Sequence, residues 1–107
     1  HMVANLVSNA VRYTPENGSI TVKISSDATH VILVVADTGI GIPETALARI
    51  FDEFYRAENA KKFNNAGTGL GMAITRSIVE QHGGTITVQS EEGEGTVFNV
   101  RIPIHRE

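Results

Sequence analysis

The sequence has no cysteine and no tryptophan, three prolines in 107 residues, and aromatic side chains at 6% of positions. Without cysteine there is no disulfide, no zinc–thiolate site and no thiol nucleophile, a composition compatible with a reducing cytosol. Positive charge is also scarce: nine Lys and Arg stand against twelve Asp and Glu, for a net charge of -3. No basic stripe runs along the chain, so no nucleic-acid partner is expected. No apolar run approaches the ~20 residues needed to cross a bilayer, and no signal peptide opens the sequence, so no direct membrane contact is expected either. A helix-capping residue is missing before Val3, where the apolar pattern starts at once. His1-Met2 reads as an expression remnant, and the whole as a piece of a longer protein entered partway along a helix.

What is present is core material: 41% of residues are hydrophobic, enough for one domain spanning residues 1–107. A chain of this size hides roughly two-thirds of its unfolded surface and needs no staple. Val3, Leu6, Val7 and Ala10 recur at helical spacing, and Thr14-Pro15 ends that helix. Residues 20–25 alternate apolar and polar as a half-buried strand does. The continuous apolar run 31–36 predicts a strand buried on both faces, joined to the first by a hairpin through residues 26–29. Pro43 predicts a second short helix with Leu47, Ile50, Phe51 and Phe54 inward. Residues 57–68 are polar, small and aperiodic, and read as a mobile loop. The next helix carries Leu70, Ala73, Ile74, Ser77, Ile78 and Gln81 on one face and closes at His82-Gly83-Gly84. Two final strands, 85–90 and 96–104, flank the turn 91–95. This order predicts an α+β sandwich, with helices on one face of a sheet.

Three groups of residues could carry chemistry. Asn5, Asn9 and Arg12 share one face of the first helix, opposite its apolar stripe and flanked by Tyr13. Asparagine is a middling helix former, so two stacked amides suggest a ligand, and an amide oxygen suits Mg²⁺. Two asparagines facing solvent explain the helix alone equally well. Asp37-Thr38-Gly39-Ile40-Gly41 follows the apolar strand. A carboxylate there, followed by glycines that admit close approach, can accept from a donor such as the adenine amine; a capped tight turn is the plainer account. Gly67-Thr68-Gly69-Leu70-Gly71 opens the last helix, where exposed N–H groups and the helix dipole suit a phosphate. It is not a P-loop, since no Lys-Ser or Lys-Thr follows, and no strand precedes it as a Rossmann turn requires.

The combination is more specific than its parts. Residues Asn5 to Thr14 resemble the N box of sensor histidine kinases, and Asp37 to Gly41 their G1 box. Phe51 to Arg56 resemble the F box, Gly67 to Ile74 the G2 box, and Gly93 to Phe98 the final glycine motif. Their order and spacing agree across essentially the whole chain. The resemblance implies the two-layer α/β sandwich of the Bergerat ATP-binding (GHKL) fold, a mixed, mostly antiparallel sheet covered on one face by about three helices. That fold is shared with gyrase, mismatch-repair ATPases and heat-shock chaperones.

Carried over by position, the resemblance implies that Asn9 ligands Mg²⁺, that Asn5 lies beside metal and phosphates, and that Arg12 reaches phosphate. Tyr13 packs by the adenine, Asp37 accepts from its amine, and Gly39, Gly41, Ile42, Phe54 and Thr96 line the nucleotide site. Residues 57–68 become the ATP lid, with Lys61 or Lys62 as a phosphate contact, the other being a solvated charge, beside Gly67, Thr68, Gly69, Leu70 and Gly71. The hydrolysing relatives place a water-orienting glutamate four residues before the metal asparagine. Here that position is Asn5, which cannot act as a general base at neutral pH. The expected reaction is therefore transfer of the γ-phosphate of Mg-ATP to a histidine rather than hydrolysis.

No acceptor is evident in the chain itself. His30 is followed by Val31, His82 by Gly83 and His105 by Arg106, and His1 belongs to the remnant, whereas the family's acceptor precedes an acidic residue. The acceptor is expected on a separate dimerisation domain of the parent chain, with a response regulator downstream. The resemblance implies a monomeric fragment of a homodimeric parent, the cytoplasmic domain of a membrane-anchored bacterial sensor. Two other readings stay open: a serine-phosphorylating kinase of the anti-sigma-factor type, and a binding module of this fold without nucleotide.

Overall fold

A computed structural model of the chain describes residues 2–52 and 71–104. Helix α1 (Met2–Arg12) leads to strands β1 (Ile20–Ser26) and β2 (His30–Asp37), then a 3-10 helix (Glu44–Arg49). Helix α2 (Gly71–Gln81) and strands β3 (Thr85–Glu91) and β4 (Gly95–Pro103) complete the chain. The sheet order is β1-β2-β4-β3, and all three pairings are antiparallel. The chain thus has the expected α+β sandwich, its sheet antiparallel throughout the described residues. Among the described residues, two α-helices and one 3-10 segment form the helical layer, for which about three helices were expected. No helix among the described residues is long and apolar enough to cross a membrane.

The first hairpin and the end of α2 follow from local chemistry. Asp27 sets the first: its Oδ1 accepts from the backbone N–H groups of Thr29 (2.8 Å) and His30 (2.7 Å), folding the link back on itself. Those donors hold the Asp27 carboxyl below its ordinary value. At the end of α2, Gly83 takes a left-handed φ of 74°, and Gly84 N–H returns to the Val79 carbonyl at 2.9 Å. Gly83 N–H bonds Glu80 O at 3.0 Å, completing a Schellman stop. His82 adds its Nδ1, 2.8 Å from the Ile78 carbonyl, as a helix-end partner.

The described helices lie on one sheet face, where strand register aligns inward side chains in rows. Ile24, Leu33, Val100 and Ile86 form one row; Val22, Val35, Phe98 and Val88 form the next. Leu6 and Ala10 of α1 and Val79 of α2 close over Leu33, Val35, Phe98 and Val100 to make the core. Each such aliphatic side chain contributes about 1.5–3 kcal/mol on burial.

Three expectations are corrected here. Strand β2 is not buried on both faces: Leu33 and Val35 are buried, whereas Ile32, Val34 and Ala36 are only half-buried and Val31 is exposed. The helices cover one face, and a continuous apolar run carries no phase to reveal which. The helix after Pro43 is a six-residue 3-10 turn with Ala46 buried; Ile50 and Phe51 pack on the core just beyond it, and Leu47 is half-buried. Pro43 is extended and gives no side-chain cap, and Ala46 N–H bonds the Pro43 carbonyl three residues back at 2.8 Å. In α2 the inward residues are Thr75 and Val79, with Met72 packed against the core, while Ile74, Ser77 and Gln81 face outward. Three- and four-residue spacing allowed either stripe, and packing on α1 selected the one bearing a buried threonine.

Candidate nucleotide site

A third row lies on the same sheet face, beyond the two apolar ones: Ile20, Asp37, Thr96 and Ser90. Where the inner rows are hydrocarbon, this end of the sheet presents a carboxylate and two hydroxyls beneath the helical layer. Polar groups placed there must be bonded. Asp37 Oδ1 accepts from the N–H of Gly39 at 2.8 Å, and the Thr96 backbone N–H also donates to the carboxylate. Burial nevertheless dominates and pushes the Asp37 carboxyl above its ordinary value, against the pull of those two donors. An ionised carboxylate has about four acceptor positions, so two donors leave it capacity for a ligand.

The row is locked to the loop that follows β2. Ser90 Oγ accepts from the Ile42 N–H at 2.8 Å, donates to the Gly95 carbonyl at 2.7 Å, and lies 2.9 Å from Thr96 Oγ1. Gly93 N–H bonds the Ile40 carbonyl at 2.8 Å, clamping the loop to the β3–β4 hairpin. Gly41 has φ of 72°, and a Cβ there would overlap the Glu91 carbonyl. Glycine is therefore required at 41 for both conformation and space.

On the other side the loop meets α1. Ile40 N–H donates to the Tyr13 carbonyl at 3.1 Å, and a Cβ on Gly39 would overlap that same carbonyl oxygen. Thr14 Oγ1 bonds the Ala10 carbonyl at 2.6 Å, finishing the helix. Tyr13 N–H bonds the Asn9 carbonyl at 3.2 Å, so Asn9 lies one helical turn from the contact. Asn5 and Asn9 are half-buried and Arg12 is exposed. The structure thereby joins the end of the asparagine face to the Asp37 loop, two features far apart in sequence. Thr38 adds a further tie, its Oγ1 accepting from Ser19 N–H at 2.8 Å.

Tyr13, Asp37, Gly39, Gly41, Ile42 and Thr96 therefore converge on one end of the sheet, with Asn5, Asn9 and Arg12 on the adjoining helix. Gly71 is the first residue of α2. Phe54, Lys61, Lys62, Gly67, Thr68, Gly69 and Leu70 lie outside the described residues, as does the expected lid 57–68. Ser90 is the residue that sequence reasoning missed. Ile86, Val88 and Ser90 share the inward phase of β3, and a serine in that phase is a signal of a bonded polar site.

The donor set fits an adenine nucleotide and its metal. The row offers acceptors at its carboxylate, as an amino-substituted base needs, and the glycines give a backbone wall. Among the described residues no group of three or more His, Cys, Asp or Glu could cage a metal by itself. Mg²⁺ does not need one: it binds through one or two protein oxygens together with phosphates and water, a role open to the Asn9 amide.

Comparison with known proteins gives the family. Residues 1–106 match the family described as histidine kinase-, DNA gyrase B- and HSP90-like ATPase. The chain is 40% identical over 102 residues to the circadian input-output histidine kinase CikA of Synechococcus elongatus, covering 95% of this chain and 14% of that kinase. The mycobacterial sensor histidine kinase MprB superposes with a TM-score of 0.84 at 32% identity, over 95% of this chain and 69% of that one. Full-length ShkA in complex with AMPPNP gives 0.79 at 33% identity, over 99% of this chain and 21% of ShkA. The chain thus spans about a seventh of the curated relative's length.

Proposed function

The chain belongs to the histidine kinase-, DNA gyrase B- and HSP90-like ATPase family, and from that premise we propose that it binds Mg-ATP and donates the γ-phosphate to a histidine on the dimerisation domain of its own parent chain. The observation that carries this reading is the junction of the Asp37–Thr96–Ser90 row with the asparagine-bearing helix through Tyr13 and Ile40. Asp37 takes the adenine amine, with Gly39, Gly41, Ile42 and Thr96 around the base and Tyr13 beside it. Asn9 holds Mg²⁺, which neutralises phosphate charge as the γ-phosphoryl group leaves. Asn5 and Arg12 lie toward the phosphates. The AMPPNP complex of a structural relative supports nucleotide as the ligand class.

The nucleophile in this reading is a histidine nitrogen and not water. Asn5 cannot take a proton from water at neutral pH, so the chain alone turns ATP over very slowly. The parent works as a homodimer, a membrane-anchored bacterial sensor with this part in the cytoplasm, and passes the phosphate to a response regulator. Incubation of the chain with γ-labelled ATP and a supplied acceptor domain tests the proposal. Label that survives alkali and is lost in acid is expected; acid-stable label on serine, or no transfer, overturns it.

A further inference from the structure

We propose that Ser90 is a positioning residue that sets the base selectivity of this site, by fixing the Thr96 hydroxyl so that the polar row offers a ligand acceptors alone. This inference rests on the nucleotide-binding reading and adds to it a residue and a basis for choosing the base. A serine hydroxyl has one proton and two lone pairs. Three polar partners surround Ser90 Oγ: the Gly95 carbonyl at 2.7 Å, the Ile42 N–H at 2.8 Å and Thr96 Oγ1 at 2.9 Å. A carbonyl can only accept and an N–H can only donate. The Ser90 proton therefore goes to Gly95, one lone pair receives Ile42 N–H, and the second receives the Thr96 hydroxyl proton.

That assignment has a consequence for the neighbouring strand. Thr96 is 6% exposed and pairs in register with Asp37 on one side and Ser90 on the other. With its single proton committed to Ser90, Thr96 Oγ1 keeps only lone pairs for a ligand. The Asp37 carboxylate is likewise an acceptor when ionised. A purine with an amino group at position 6 meets this row with a donor. One with an oxo group there meets acceptor with acceptor and leaves it unpaired, which costs roughly tenfold or more in affinity. Selectivity thus arises from a hydroxyl that the ligand itself need not touch.

The test uses the 107-residue chain and measures dissociation constants for Mg-ATP and Mg-GTP by titration calorimetry, with unfolding followed in parallel. The unsubstituted chain is expected to prefer ATP. Ser90→Ala frees the Thr96 hydroxyl to turn toward the ligand, so the ATP-to-GTP preference should fall about tenfold, with GTP binding no weaker relative to ATP than before. Ser90→Thr keeps the hydroxyl and should keep the preference. Should Ser90→Ala fail to fold, Ser90→Cys, with a much weaker donor and acceptor in the same shape, is expected to narrow the preference in the same direction. Equal weakening of both nucleotides by Ser90→Ala marks a merely structural role and overturns the inference while leaving nucleotide binding intact. Absence of any nucleotide binding by the unsubstituted chain overturns both.

Discussion

The backbone carbonyl of Tyr13 accepts a hydrogen bond from the backbone N–H of Ile40 across 3.1 Å, so the end of α1 and the loop after β2 form one rigid corner. Gly39 makes that approach possible. A Cβ on it would overlap the Tyr13 carbonyl and crowd Asp37 Oδ1 at 2.8 Å. Since the first obstacle is backbone, no rotamer change relieves it. Gly39→Ala should cost about 1–3 kcal/mol of stability, in the range of strained or overpacked sites, and should abolish most Mg-ATP binding. Denaturant unfolding and nucleotide titration measure the two effects; an alanine tolerated in both would dissolve the corner as a functional element.

Asp37 supplies a pH dependence whose two parts oppose each other. Burial raises its folded-state carboxyl above the ordinary value. The protonated form is thus favoured by folding, and its contribution to stability is full below the unfolded value and lost as pH rises through the raised folded one. Adenine binding needs the carboxylate, so ATP affinity should rise through that same window. Titrations between about pH 4 and pH 7 should show affinity climbing while the ligand-free contribution falls. Asp37→Asn should flatten both differences and weaken ATP binding; a variant with the native pH slopes would place the titrating group elsewhere.

How much of this was legible depended on whether side chains or backbone carried the information. Leu6 and Ala10 declared the inward face of α1 by spacing, and Gly83 declared the stop of α2 because only a left-handed residue closes it that way. The stripe of α2 was ambiguous, since Ile74 and Thr75 each begin a plausible helical face and only contact with α1 decides. Pro43 announces a helical turn but cannot distinguish bonds to the third residue from bonds to the fourth. Ser90 was missed, although its inward phase in β3 was the signal that could have found it. The Tyr13–Ile40 contact was not legible, because it joins two backbone groups and leaves no mark on residue type.

Phe51 joins the segment after the 3-10 helix to both layers of the sandwich. Its ring meets Phe98 edge to face, with centroids 6.3 Å apart and planes at 74°, and the Arg76 guanidinium carbon lies 5.6 Å from its centroid. Phe51→Ala should cost about 2–4 kcal/mol through lost burial and ring contact. Arg76→Ala removes a partly exposed cation and an exposed pair with Glu80 at 3.6 Å, so its cost should stay near 1 kcal/mol. A double-mutant cycle should return a coupling of about 0.5–1 kcal/mol between the two. Simple additivity in urea unfolding would mean that the stacking is geometric coincidence.

Ile24 and Leu33 face each other across β1 and β2 on the helix side of the sheet, yet Ile24 is 70% exposed and Leu33 only 5%. The difference is position, not chemistry. Among the described residues strand β1 is one edge of the sheet, and the described helices close over β2 and β4 rather than over it. Equal hydrophobicity should therefore give unequal energetics. Leu33→Ala removes a packed side chain from the core and should cost about 2–5 kcal/mol. Ile24→Thr keeps the β-branch that suits a strand and removes apolar surface that is already wet, so its effect should lie within about 0.5 kcal/mol. It should also reduce self-association, because an edge strand with open backbone groups and exposed apolar side chains invites pairing with another copy. Urea unfolding and light scattering of the two variants read these effects separately. A large stability loss from Ile24→Thr would show that this end of β1 is covered in solution.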